Sequence, residues 1–539
     1  MTAKPVYAWS QIPSFAELSD FVQHHDEDKI LLMMLPEKHL PEFSAAQTVL
    51  FPELVMAWQR ALKCVQFQTA NVIADFLPNC ELWLLPESRM MCLHEHFRQP
   101  IQWQNTIIPQ KQPEPIKAWF RLPENNLKDK IPQVLIVGAG IAGAATAYEL
   151  AKRGAKVCVL EANSAPAQAA SGNRQGLLYA KISPHATAQT ELLLLGYGYT
   201  HRLLEYLQPE QKTWQTCGVL HLNHNTSETQ RNRDLAKQTW HCHLYHYLNA
   251  QQATQLAGID VKQDGLFWPQ GAWLNPTALI TQLLNHPNIS LHTHAKLTQA
   301  EFTEHQWQVI TTDQRQFSGS HIVFCTGSNN PATPIICDFP FQMIRGQTSL
   351  IAANLFSQQL KIALSGSSYI SPAWDNVHCY GATFINNDNN SQWREADEMS
   401  NRQALQTLNS ILAQNLLSQP FSDSLKGHAA VRCDSHDHLP VVGALGDVAV
   451  MHQVYAKLAL DKNYRLNTTC PYLPNAYTNT AHGSRGLATA PICAAEIAAQ
   501  ICGTAMPFSE KLRQALSPNR LIIRQIVRTQ SSSQTNKTA

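Results

Sequence analysis

Apolar and polar positions change period repeatedly along this chain, and each change predicts an element. Residues 44–64 carry apolar side chains at helical spacing, and residues 81–85 read as a short strand. A proline- and glutamine-rich link follows at 108–115. From residue 134 the pattern sharpens. Val134, Leu135, Ile136 and Val137 form the continuous apolar run of a buried strand. A helical pattern occupies 144–153 and stops at Gly154, and residues 156–160 form a second strand. Strand-like runs and helices alternate through 212–434, the run 321–324 among them, and a further helix is predicted at 488–501. In the last predicted helix Arg520, Arg524 and Arg528 recur every four residues on one face. With Lys511 and Arg513 they form a candidate basic patch, or else a solvated helix face.

Composition sharpens the division into zones. The first glycine of the chain is Gly138, whereas usage of roughly 7% would place about ten before it. Residues 1–115 are therefore a glycine-free region, followed by a longer unit at 131–528 and a Ser/Thr/Gln/Asn-rich tail at 529–539 that predicts disorder. The 539 residues are 44% hydrophobic and 15% charged, ordinary globular material. A net charge of +1 leaves any polyanionic partner to a local patch. The 13 cysteines are odd in number, scattered and without a C-x-x-C pair, which points away from a secreted disulfide framework and toward a reducing cytoplasm. The apolar run 30–35 is too short for a signal peptide or a membrane span, so a soluble cytoplasmic protein is expected, with no membrane partner. His241, Cys242, His243 and His246 fit no familiar zinc spacing, nor do Asp434, His436, Asp437 and His438, and no metal is expected.

The chemistry concentrates after the strand at 134. Gly138, Ala139, Gly140, Ile141, Ala142 and Gly143 form a G-x-G-x-x-G turn between strand and helix, and Glu161 closes the second strand. Gly138 allows the tight turn, Gly140 the approach of a pyrophosphate and Gly143 close helix–strand packing, while Glu161 can accept from ribose hydroxyls. The helix N-terminus offers free N–H groups to phosphate. This unit binds a dinucleotide without a 2′-phosphate. Three later segments favour FAD over NAD: the small-residue loop Ala170, Ser171, Gly172, Asn173 to Gly176; the strand end Thr326-Gly327; and Gly483, Ser484, Arg485, Gly486, Leu487, which opens a helix able to face a flavin.

Taken together these segments resemble the D-amino-acid oxidase, glycine oxidase and sarcosine oxidase superfamily. They are more similar still to the FAD domain of the bacterial tRNA 5-methylaminomethyl-2-thiouridine biosynthesis bifunctional proteins. The stretches 170–173, 176–183, 344–347, 369–373, 381–384, 437–443 and 482–487 carry the resemblance, over about residues 131–528. It implies an α/β fold: a Rossmann-like FAD-binding domain of the D-amino-acid oxidase type (about 131–207, 321–347 and 436–510), interleaved with an antiparallel-sheet substrate domain (about 212–320 and 348–434). It implies tRNA as partner, with oxidative removal of the carboxymethyl group from 5-carboxymethylaminomethyl-2-thiouridine at wobble position 34. Separate enzymes would install that group and methylate the amine. In the family an N-terminal methyltransferase domain performs the methylation. The glycine-free residues 1–115 cannot build its glycine-rich loop, and are expected to be a shortened remnant without that activity.

The resemblance also proposes site residues. Arg432 matches a substrate-binding arginine and would grip the substrate carboxylate, unless it is an ordinary salt-bridged arginine. Tyr369 matches a substrate-contacting tyrosine, or packs in the core. Lys181 would meet flavin, substrate or phosphate, or lie on a solvated face. Arg345, Gly346 and Gln347 would lie near the flavin, or serve structure. Two other readings stay open: a small-molecule amine oxidase of the glycine or sarcosine type, and a non-catalytic tRNA-binding flavoprotein.

Overall fold

The computed structural model describes residues 4–37, 39–124, 131–238, 241–418 and 425–535, with side chains through 528. Its centre is a six-stranded sheet in the order Ile289–His292, Lys156–Leu160, Gln133–Val137, His321–Phe324, Tyr472–Thr480, Val441–Gly446. All neighbours pair in parallel except the last two strands. Two alanine-rich helices, Ile141–Lys152 and Gly486–Cys502, are buried on nearly every side. Small side chains let them approach one another and the sheet, as a strand buried on both faces requires.

A nine-stranded, mainly antiparallel sheet forms the second layer system. Its longest strand, Phe341–Ala352, pairs with Val377–Gly381 on one side and with Ala429–Ser435 on the other. The expected division at 320 and 347 needs correction. Ile289–His292 completes the parallel sheet, and the meander Leu297–Thr303, Gln306–Thr311, Gln316–Gly319 packs Trp307 and Val309 against Leu135 and Val137. The strand from Phe341 belongs wholly to the antiparallel sheet, because its hydrogen-bond partners lie there.

The glycine-free N-terminal region forms a five-stranded sheet in the order Asn71–Leu77, Cys80–Leu85, Lys29–Met34, Val6–Trp9, Ile101–Trp103. Side chains alternate with period two. Tyr7, Trp9, Leu31, Met33, Leu82 and Leu84 enter a local core with Trp58 and Phe76. Val6, Ala8, Ile30, Leu32, Trp83 and Leu85 share a core with Leu192 and Tyr197 of the helix Ala188–Leu207. Arg89–Glu191 at 2.9 Å ties the rim of this contact, and Lys152–Asp75 at 2.9 Å ties the sheet to the helix Ile141–Lys152.

Two predicted boundaries change. The helix expected over 44–64 is two helices, Ala45–Leu50 and Pro52–Leu62, because Pro52 cannot continue the first and is well suited to begin the second. The last helix runs Asn519–Thr535, into the tail expected to be disordered from 529, with Ile522 and Ile526 anchoring its first turns; residues 536–539 of that tail lie outside the described residues. No helix among the described residues is long and apolar enough to cross a membrane.

The shared core makes a prediction about cooperativity. Leu32→Ala removes a fully buried side chain from it and should cost about 2–5 kcal/mol. Thermal melts followed by circular dichroism and by released flavin fluorescence should shift down together; an unmoved flavin transition would show that the N-terminal sheet melts on its own.

Candidate functional site

One cavity of about 460 Å³ runs from the glycine turn of the parallel sheet to the face of the antiparallel sheet. At its first end, strand Gln133–Val137 stops at Gly138, whose φ of +104° favours glycine. A Cβ on Gly143 would stand 1.8 Å from the Gly138 carbonyl oxygen, so only glycine lets the helix sit this close behind the turn. Gly140 is the N-cap, and Ile141 N–H donates to Ser171 Oγ at 3.1 Å. Glu161 accepts from Ala139 N–H at 2.8 Å and from Asn163 N–H at 2.9 Å. Gly138, Ala139, Gly140, Ile141, Ala142, Glu161, Ala170, Ser171, Asn173, Gly176, Thr326 and Gly327 all border the cavity.

The opposite wall is the N-terminus of the helix Gly486–Cys502, where Gly483, Ser484, Gly486 and Leu487 line the space. Of the contacts predicted around the glycine turn, its following loop and this helix, three do not. Gly143 serves the packing just described. Gly172 lies beneath His428, with its hypothetical Cβ 2.7 Å from the ring. Arg485 is the residue before the helix; among the described residues its buried Nη1 has no hydrogen-bond partner, and burial depresses its pKa from the usual guanidinium value.

These residues fit an FAD. The glycine turn and helix N-terminus suit its pyrophosphate, Glu161 stands where a ribose would lie, and Gly327 faces open space that a Cβ would begin to fill.

At the antiparallel end, strand alternation decides which candidates reach the cavity. Gly346 and Thr348 line it; Arg345 and Gln347 point to the other face. Arg345 is fully buried, donating to Asp397 from Nε at 2.8 Å and from Nη2 at 2.6 Å, and from Nη2 to Gln347 Oε1 at 3.0 Å. Gln347 Nε2 donates to the Arg394 carbonyl at 2.8 Å. Both therefore brace the helix Glu395–Leu408 and contact no cofactor space.

Arg432 does reach the cavity. It sits opposite Ile344 on the paired strand, and its guanidinium lies across Gly346: a Cβ there would stand 2.1 Å from Arg432 Nη1 and 2.5 Å from Cζ. Among the described residues it has no ion-pair or hydrogen-bond partner. Burial lowers its pKa, opposed by the charge of a nearby tyrosinate if Tyr369 were to ionise. Tyr369 lines the cavity, but its hydroxyl is already engaged, donating to Gln175 O at 3.1 Å and accepting from Asn173 Nδ2 at 3.0 Å. Burial holds that phenol neutral. Thr348 Oγ1 donates to Asn173 Oδ1 at 3.1 Å, so Asn173 links the cofactor loop to the substrate sheet.

Lys181 needs correction. Its Nζ pairs with Glu228 at 3.1 Å rather than lining the cavity, because the carboxylate gathered by His221 and Arg231 attracts it; Tyr179 takes the cavity position. The basic patch is also reduced. Arg520 donates to Asp437 at 3.0 Å, Arg524 pairs with the same carboxylate at 3.7 Å, and Arg513 donates to Glu496 at 2.8 Å; Arg524 and Arg528 of the triad are exposed. Sequence reasoning missed Tyr179, Ser365, Thr348 and Phe384 as cavity residues. Tyr179 and Phe384 had a signal, being inside the quoted stretches 176–183 and 381–384; Ser365 and Thr348 had none.

Comparison with known proteins places this geometry. The tRNA 5-methylaminomethyl-2-thiouridine biosynthesis bifunctional protein of Pseudomonas putida is 36% identical over 417 residues, 77% of this chain and 63% of the relative. That of Pseudomonas savastanoi pv. phaseolicola is 37% identical over 429 residues, 79% of this chain and 64% of the relative. The chain thus spans a little under two-thirds of the length of these curated relatives. The crystal structure of glycine oxidase from Geobacillus kaustophilus superposes with a TM-score of 0.57 at 16% identity, over 72% of this chain and 99% of that one, a likeness of fold.

The glycine turn yields a direct test: Gly140→Val puts methyl groups into the pyrophosphate space and should purify folded but colourless, read as loss of flavin absorbance with circular dichroism retained. A fully yellow variant would remove Gly140 from the cofactor wall. That turn lies within residues 133–500, which match the family described as FAD dependent oxidoreductase, and the chain belongs to that family.

Proposed function

We propose that this chain oxidatively removes the carboxymethyl group from 5-carboxymethylaminomethyl-2-thiouridine at wobble position 34 of tRNA, leaving the 5-aminomethyl form. One observation carries the reading: Arg432 presents a guanidinium to the cavity beside the antiparallel sheet, with no protein anion to neutralise it among the described residues. A ligand carboxylate would complete it in bidentate fashion. The relatives named for tRNA 5-methylaminomethyl-2-thiouridine biosynthesis supply the substrate class.

The substrate side chain is R–CH2–NH–CH2–COO⁻. Bound FAD supplies a two-electron acceptor for the hydride of the N–CH2 carbon. Arg432 holds the carboxylate and so sets the position of that carbon, a gain from orientation rather than from a protein nucleophile. Gly346 gives the guanidinium its seat. Tyr369, Asn173 and Thr348 tie the substrate sheet to the cofactor loop, fixing one relative to the other. The amine loses its N–H proton with the hydride and becomes an imine. Water then adds, and the C–N bond breaks to give R–CH2–NH2 and glyoxylate.

Arg432→Ala should keep FAD and lower kcat/KM for tRNA bearing the carboxymethylaminomethyl group. Losing a buried carboxylate contact costs about 2–5 kcal/mol, roughly thirtyfold to a few thousandfold. Gly346→Ala should do the same more weakly, by pushing the guanidinium off its seat. The measurement is nucleoside mass spectrometry with glyoxylate detection. Unchanged turnover in Arg432→Ala removes the carboxylate role, and rapid oxidation of sarcosine with untouched tRNA would favour the small-molecule amine oxidase.

A further inference from the structure

A chain of polar side chains leaves the substrate end of the cavity, and nothing above uses it. Tyr179 and Ser365 line the cavity and share a hydrogen bond at 2.8 Å. Both approach Nδ1 of His221, each at 3.4 Å. Nε2 of His221 meets Glu228 Oε2 at 2.8 Å. His221 is buried, whereas the side chains of Glu228 and of Lys181 beside it are 15% and 33% exposed. The order hydroxyl, imidazole, carboxylate thus runs from cavity to surface.

A secondary amine next to a carboxylate is protonated near neutral pH, and only the neutral amine can surrender a hydride from its carbon. We propose that Tyr179, His221 and Glu228 form a relay that carries the ammonium proton of the substrate from the cavity to solvent. This rests on the amine-oxidising reading above. The ammonium N–H passes its proton to the Tyr179 oxygen as the Tyr179 hydroxyl proton passes to His221 Nδ1. The Nε2 proton of His221 moves to Glu228, which releases it to water. No electrons move in these steps. When the product amine takes up a proton, the same path runs inward and restores the starting tautomer.

The charge states suit the task. Burial pushes His221 down to about 4, so the imidazole is neutral and able to accept. Burial would raise Glu228, but its bonds to His221 and Lys181 and the charge of Arg231 outweigh this and hold it at about 2, as a carboxylate. Burial also keeps the Tyr179 phenol neutral. The other groups facing the imidazole are His224, edge-on at 5.8 Å, and the cations Arg231 and Lys181, which disfavour a lasting imidazolium. The proton is passed on rather than stored.

The test is anaerobic flavin reduction followed by stopped flow across pH, in wild type, Glu228→Gln, His221→Gln and Tyr179→Phe. Flavin absorbance and melting temperature report the fold of each variant. Two substrates are used: tRNA carrying the carboxymethylaminomethyl group, and sarcosine. At pH 7 the Glu228 and His221 variants should reduce flavin at least tenfold more slowly. They should converge on the wild-type rate at alkaline pH, where bulk water has already deprotonated the amine. Tyr179→Phe should show a smaller defect of the same shape, because Ser365 still reaches His221. Equal rates at pH 7 overturn the relay, and so does a defect that is the same at every pH, which a merely structural role would produce. If wild type reduces with sarcosine but not with tRNA, the tRNA reading falls while the relay is decided on sarcosine; if it reduces with neither, both fall.

Discussion

The site turns on a guanidinium that lies bare across a glycine. A cation taken partly out of water without an anion is costly, and a fold tolerates it only where surrounding structure holds it in place. Here the holding is done by pairing. Strand Phe341–Ala352 and strand Ala429–Ser435 run antiparallel, so Gly346 and Arg432 share the cavity face of neighbouring strands. On the reverse face Arg345 finds Asp397 and is fully neutralised. Two arginines on adjacent strands thus have opposite fates. The one on the helix face is braced by a carboxylate of its own chain; the one on the cavity face has none beside it among the described residues.

That arrangement depends on how the two large sheets are joined. Asn173 donates to Gln175 O and Tyr369, and accepts from Thr348, so one side chain spans the loop after the dinucleotide unit and the floor of the substrate sheet. The N-terminal sheet acts farther back. Its inward face packs on the helix Ala188–Leu207, which in turn packs along the helix Gly486–Cys502, and the N-terminus of that last helix is a wall of the cavity. The glycine-free region is therefore part of the support of the cofactor wall.

What could be read from the sequence follows from how local each signal is. The glycine turn, its flanking strands and Glu161 are fixed within a few dozen residues, and the structure has them as expected. Arg345 and Gln347 were harder because motif position says nothing about which strand face a side chain takes. Period two would have separated them from Gly346, had the strand's orientation to the cavity been known. Lys181 was drawn away by Glu228, a partner forty-odd residues distant that only the tertiary fold brings near. Ser365 and His221 carried no signal at all, since a serine and a histidine in strand-like runs are ordinary residues until two sheets place them together.

The cavity's polar groups then divide by charge in a way that suits the proposed substrate. Arg432 supplies a cation on one side, while on the other the Tyr179–Ser365 pair leads through His221 to an anion, Glu228. A ligand with a carboxylate and an adjacent ammonium complements both at once. Neither feature alone is selective: an arginine would hold any small acid, and a buried hydroxyl pair would accept many donors. Ser365 and Arg432 stand on strands of one sheet, Ala363–Ser365 and Ala429–Ser435, with Tyr369–Ile370, Val377–Gly381 and Phe341–Ala352 between them, and both line the one cavity. The proposed N-substituted glycine unit carries both groups, and Phe384, which borders the cavity and is 56% exposed, lies where the cavity opens to solvent.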